Sequence, residues 1–162
     1  LSGKNNKTAA ERKAKDDWRT PKWLLDVLLG QYDINLDCAA TAQNKVCPNW
    51  IGEDGFHMEV DLAGAYTCAW CNPPFSNPAM LRNKWVTVFH RIGIYRCDNL
   101  ETKAWQQIIL PSVDWVFFFS HRINYEGHEG KGSMFPSALF GANLPTPKGL
   151  GGTLVWIKGV KQ

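Results

Sequence analysis

Residues 72–75 read Asn-Pro-Pro-Phe and follow directly on Tyr66 to Cys71, a short run with the character of a buried strand. Proline has no N–H and fixes φ, so two in succession make a rigid extended corner whose preceding carbonyls cannot enter a ladder. The side-chain oxygen of Asn72 and the carbonyl of Pro73 can then point at one donor, and a planar amino group suits two acceptors so placed. With Pro74 holding the chain extended, the ring of Phe75 can lie against the plane that carries the amino group, as aromatic side chains lie on unstacked bases. The plainer reading of the same residues is an Asn-Pro turn whose Phe belongs to the core.

Other residues of chemical interest carry weaker signals. Cys68 and Cys71 form a Cys-x-x-Cys, yet on a strand residues three apart face opposite sides. Neither a second such pair nor two His at ligand spacing accompanies them, so no metal is expected. His121 and Arg122 follow an apolar Phe-Phe-Phe run and precede Gly127, Gly130 and Gly132. They suit contact with nucleic-acid phosphates or a target base, and equally a turn bearing a solvated pair. The run EGHEGKGS lacks the strand before it and the helix after it that a phosphate loop requires, which argues against nucleoside triphosphate binding.

The elements that must position these groups read as an α/β pattern. Thr20 as N-cap, Pro21 at the first helical position and Gly30 as a stop frame a short amphipathic helix with Leu24, Leu25, Leu28 and Leu29 on one face. Ile34 to Ala40 is predicted to be a strand entering a tight turn of small residues, and Tyr66 to Cys71 a second strand. A helix is expected over Asn77 to Arg91, with Leu81, Trp85, Val88 and Phe89 on one side. Gln107 to Pro111 and Val116 to Phe119 read as central strands, and Gly152 to Lys158 as the last one. Strands alternating with helices imply a largely parallel sheet with helices on both faces, in which ligands bind at the carboxyl ends of strands. Both the LDCAAT turn and NPPF stand at such ends. Trp70 and Trp105 are candidates to flank the resulting pocket.

Composition sets the limits. The 162 residues are 44% hydrophobic and 20% charged, enough for one domain with a proper core. No apolar stretch has the length of a membrane span or signal peptide, and five cysteines scattered singly suit free thiols in a reducing compartment, so a cytoplasmic protein is expected. Net charge is only +3, but Lys4, Lys7, Arg12, Lys13 and Lys15 face Glu11 alone in the first stretch. Residues 1–16 are accordingly expected to form a basic flexible leader and residues 17–162 a single domain; the leader suits phosphate contact or plain solvation.

Taken in order, several segments make the chain similar to the amino-group DNA methyltransferases that use S-adenosylmethionine, and within them to the short phage-type Dam-like N6-adenine methyltransferases. WRTPKWLLDVL resembles their N-terminal cofactor motif, INLDCAAT the strand and turn that hold the methionine part of the cofactor, and EVDL the acidic position at the cofactor adenine. NPPF matches the catalytic tetrapeptide, IILPSVDW resembles the strand after it, and FFSHRINYEG with SMFPSALF resembles the C-terminal part of the phage group. The likeness covers residues 18 to about 158.

The resemblance implies a Rossmann-like class I methyltransferase fold. It implies Asn72, Pro73, Pro74 and Phe75 as catalytic residues, with Asn72 also beside the cofactor. Cofactor contacts fall on Thr20, Pro21, Asp37, Ala39, Asn44 and Asp61, and contacts to the flipped DNA base and its strand on Phe75, Ser76, His121 and Arg122. Each has an ordinary alternative: helix capping for Thr20 and Pro21, a surface or capping role for Asp37, a solvated loop for Asp61 and Asn44. The turn after Asp37 lacks the glycines usual in the wider family, and no ribose partner stands out, since Glu53 and Asp54 lie in a loop. Methylation of cytosine N4, or a methyltransferase-like module without activity, fits the same acceptor pair. With recognition left to loops, placed at residues 92–104 and 121–150, a short DNA site is expected, in a host cell's cytoplasm if the protein is phage-encoded. Oligomeric state is not legible.

Overall fold

The computed structural model describes residues 18–61, 66–127 and 135–157. The expected leader, Gly130, Gly132 and Lys158 lie outside them. The first helix, α1, spans Lys22–Leu29 and buries Leu24 and Leu28, while Leu25 is half-buried and Leu29 exposed. Thr20 does not cap it. Pro21 is the boundary residue, and the first helical N–H, that of Lys22, is accepted by Glu126 Oε1 at 2.9 Å. A carboxylate from 104 residues away therefore satisfies a donor that local sequence assigned to a neighbouring hydroxyl.

The strands are β1 (Leu36–Asp37), β2 (Trp50–Gly52), β3 (Gly55–His57), β4 (Cys68–Cys71), β5 (His90–Arg96), β6 (Trp115–Phe119), β7 (Ser137–Ala142) and β8 (Gly152–Trp156). They form one sheet in the order β3-β2-β1-β4-β5-β7-β6-β8. The pairs β2–β1, β1–β4 and β4–β5 are parallel, whereas β2–β3, β5–β7, β7–β6 and β6–β8 are antiparallel. The sheet is thus mixed, with a parallel centre, and not largely parallel.

Alternation along the strands divides the core into two layers. Cys68 and Trp70 of β4 pack with Leu24, Leu28, Tyr32 and Ile34 on the α1 side. Ala69 and Cys71 face the other way, toward Leu81, Trp85, Trp105 and Ile109. The two cysteines diverge as strand geometry requires, and among the described residues no group of three or more His, Cys, Asp or Glu is placed to hold a metal. Trp70 and Trp105 are fully buried.

Three further sequence expectations are overturned. Residues 77–91 are not one helix: α2 covers only Ala79–Asn83, a 3₁₀ turn follows at Trp85–Thr87, and Arg91 lies within β5. Gln107 to Pro111 is no strand but belongs to a π-helical stretch, Ala104–Ile109, continuing into α3 at Leu110–Ser112. The buried residues there are Ala104, Trp105, Ile108 and Ile109, a helical stripe interrupted by exposed Gln106 and Gln107. Residues 92–96 and 137–142, read as parts of recognition loops, lie instead in β5 and β7, two interior strands of the sheet. At Gly93, opposite Cys71, a Cβ would stand 2.7 Å from Phe140 Cε2, so only glycine lets the ring cross this strand.

Candidate active site

The parallel pairs align the carboxyl ends of β1, β4 and β5, and two successive antiparallel pairings return β6 to the same direction. One edge of the sheet therefore gathers the turn after Asp37, the NPPF corner, the segment after Arg96 and the start of residues 120–127. Asp37 pairs with Trp70, which places the end of β1 directly beside the approach to Asn72. Cys38 N–H donates to the Trp70 carbonyl at 2.8 Å and continues that alignment into the turn.

At the corner, both hydrogens of the Asn72 amide are engaged: Nδ2 donates to the Trp18 carbonyl at 3.1 Å and to Thr20 Oγ1 at 3.0 Å. What is left of the amide is its oxygen, an acceptor. The Pro74 carbonyl accepts from Asn77 N–H at 3.0 Å, closing a turn over Phe75 and Ser76, and the Phe75 carbonyl accepts from the Tyr95 hydroxyl at 3.2 Å. Among the described residues no backbone donor pairs with the Pro73 carbonyl.

Phe75 is half-buried and touches both core layers. Its ring meets Trp18, Tyr95, Tyr125 and Phe135 edge to face, with centroids between 5.0 and 6.1 Å. Trp18 in turn stacks on Phe135 at 5.3 Å and on Tyr125 at 6.1 Å. The Arg96 guanidinium lies 4.6 Å above the Phe135 ring. Edge-to-face aromatic pairs contribute about 0.5–1.5 kcal/mol each beyond area burial, so this cluster fixes the corner firmly. Trp18, Tyr95, Tyr125 and Phe135 were not singled out in sequence, although Trp18, Tyr125 and Phe135 lie in the segments WRTPKWLLDVL, FFSHRINYEG and SMFPSALF.

Asp37 is 3% exposed. Its Oδ1 accepts from Ala39 N–H and its Oδ2 from Val46 N–H, each at 3.1 Å, so the carboxylate braces the turn that replaces a glycine loop. Burial pushes its pKa up to about 6, against the lowering effect of those two N–H groups. Ala39 is half-buried; Asn44 Oδ1 accepts from Thr41 N–H at 2.6 Å and shapes the same turn. Asn49, 1% exposed, was missed: its Oδ1 accepts from Glu59 and Val60 N–H, its Nδ2 donates to the Val60 carbonyl, and its carbonyl accepts from Asp37 N–H.

The remaining expected residues fall at different places. Thr20 and Pro21 are buried beside Asn72. Ser76, His121 and Arg122 are exposed on the same sheet edge, with the His121 ring 6.2 Å from that of Trp23. Asp61 is exposed one residue past Val60, which Asn49 holds at the amino end of β2, away from the edge that carries Asn72. Glu53 and Asp54 form the tip of the β2–β3 hairpin at the carboxyl end of β2, and Asp54 Oδ1 meets His57 Nε2 at 2.9 Å.

A parallel sheet centre delivers an oriented amide and a Pro-Pro corner to its carboxyl edge, an arrangement with the chemistry to accept two hydrogens from a planar amino group. The family model for DNA N-6-adenine-methyltransferase (Dam) matches residues 7–133, most of the chain. The chain belongs to that family of adenine-specific DNA methyltransferases, which points to adenine N6 and not cytosine N4 as the target. No curated protein and no solved structure matches it significantly. Among the described residues no helix is long and apolar enough to cross a membrane.

Proposed function

We propose that residues 17–162 form one catalytic domain of Rossmann-like class I methyltransferase fold, which moves the methyl group of S-adenosylmethionine to N6 of an adenine flipped out of DNA. The carrying observation is the Asn72 amide at the carboxyl end of a central parallel strand, with both hydrogens held and its oxygen remaining to accept. The strand order and parallel centre support the fold assignment.

The chain's chemistry follows from the corner. The amino lone pair of adenine is conjugated with the ring and points nowhere useful. Asn72 Oδ1 and the Pro73 carbonyl, accepting its two hydrogens, draw them from the ring plane, free the lone pair and stabilise the positive charge that grows on nitrogen. Pro73 and Pro74 hold these acceptors without reorganisation, and Phe75 lies against the base. Holding reactants in line within about 3–3.5 Å supplies most of the acceleration, so no strong base, nucleophile or metal is needed. Once the new bond has formed, the positively charged nitrogen gives up one of its two hydrogens as a proton to solvent water.

When bound, the cofactor supplies an electrophilic methyl group on a sulfonium. The turn fits its methionine end: Asp37 is a buried carboxyl whose pKa burial raises, and an α-ammonium group beside it would offset that loss of solvation. Ala39 and Asn44 shape the wall beside it, with Pro21 across from them; Asp61, held beside Asn49 at the amino end of β2, stands apart from this turn. Ser76, His121 and Arg122 are the proposed DNA contacts on the exposed rim.

The test is methylation of duplex DNA followed by digestion and mass detection of nucleosides. N6-methyladenine is expected; Asn72→Ala should abolish it while calorimetry still detects S-adenosylmethionine binding. Undiminished turnover by Asn72→Ala would overturn the mechanism, and methylcytosine as sole product would overturn the target. Cofactor affinity should rise as pH increases through about 6, where Asp37 becomes charged.

A further inference from the structure

We infer that Trp18–Lys22 is a positioning segment for catalysis, in which the Trp18 carbonyl and Thr20 Oγ1 decide which end of the Asn72 amide faces the substrate, and Glu126 holds the segment in place. The inference rests on the reading of Asn72 as acceptor, and assigns Thr20 to catalysis through Asn72.

A carboxamide has two ends of nearly equal shape and opposite hydrogen-bonding character. A half-turn about its last torsion would present two donors to the amino group and remove one of the two acceptors the corner offers. Strand and prolines do not prevent that rotation, because they fix backbone only. The Trp18 carbonyl does, since it can only accept and lies 3.1 Å from Nδ2. Thr20 Oγ1, at 3.0 Å, takes the second hydrogen. A hydroxyl alone would tolerate either end of the amide; beside the carbonyl it becomes a second acceptor for the same nitrogen. Thr20 is 5% exposed, so water does not compete well for this bond.

The segment is itself secured from the far side of the sheet edge. Arg19 and Glu126 exchange backbone hydrogen bonds of 3.0 and 2.9 Å, and Glu126 Oε1 accepts the Lys22 N–H. The Trp18 ring is stacked on Tyr125 and Phe135. Residues 18–22, 72 and 126 thus form one hydrogen-bonded unit across the molecule.

Thr20→Val removes the acceptor while keeping the shape. Its expected effect is a fall in single-turnover methylation of about 10- to 100-fold, the scale on which small misplacements act. Dissociation constants for DNA and S-adenosylmethionine should stay within about twofold, and Thr20→Ser should restore most of the rate. If Thr20→Val does not fold, Thr20→Ala against Thr20→Ser makes the same comparison. A normal rate in the variant, with Asn72→Ala inactive, overturns the positioning role and leaves the acceptor mechanism standing. Weakened cofactor binding at an unchanged saturated rate also overturns it, by making Thr20 a cofactor contact. Normal turnover in Asn72→Ala overturns the mechanism beneath both.

Discussion

Two neighbouring strand ends use their polar side chains in opposite ways. At the end of β4, Asn72 gives its hydrogens to protein acceptors and keeps its oxygen as an acceptor. At the end of β1, one strand away, Asp37 turns both oxygens inward onto the N–H groups of Ala39 and Val46. The difference shows how a glycine-poor turn keeps its shape: a buried carboxylate does what conformational freedom does elsewhere. One end leaves an acceptor for the reacting group of the proposed function, and the other braces the loop that stands beside it.

The contrast breaks most sharply at Asn72. Asn72→Ala should lower turnover by at least about 100-fold, the scale of a lost oxyanion-type partner, while the thermal midpoint moves little because the side chain is only half-buried. A large drop in melting temperature together with a normal rate would reverse the assignment.

Asp37 should show the opposite profile, with a definite sign in pH. Its folded pKa is raised from 3.8 to about 6, so the protonated form is favoured in the folded state. Its stabilising contribution is full below the unfolded pKa and is lost as pH rises through about 6, a change of about 3 kcal/mol by linkage. Denaturant titrations from pH 4 to 7 should therefore show the stability of the wild type, relative to Asp37→Asn, declining with pH. A difference independent of pH would remove the buried charge from the account.

Asn49→Ala should follow, costing about 2 kcal/mol because it leaves the Glu59 and Val60 N–H groups and the Val60 carbonyl without partners. Equilibrium unfolding measures it. Smallest is Lys22→Ala, which removes an exposed bond of 2.7 Å to Asp26 and should change stability by no more than about 0.5 kcal/mol. A larger loss would mean that α1 depends on its surface pair more than on Glu126.

Much of the site was legible because its chemistry is local. Four consecutive residues specify a rigid corner, and period-two alternation alone separates Cys68 from Cys71. The fold was less legible where an apolar run had two explanations. Gln107 to Pro111 satisfies a strand pattern by itself, and only Ala104 and Trp105 upstream reveal the helical stripe. β5 and β7 were missed because His90–Arg96 carries charge at both ends and Ser137–Ala142 sits in a stretch rich in Gly and Pro. Their strand character comes from pairing with each other across six residue pairs.

By itself, then, the sequence determined the Asn-Pro-Pro-Phe corner, the short helix after Pro21 and the small-residue turn after Asp37, since each depends on bonds and φ restrictions between near neighbours. Only the tertiary structure decided which end of the Asn72 amide faces out, why Thr20 is not a cap, and that Asp37 braces its own loop. Those outcomes depend on single acceptors brought from 52, 54 and 104 residues away and on burial of the carboxylate, which no local pattern encodes.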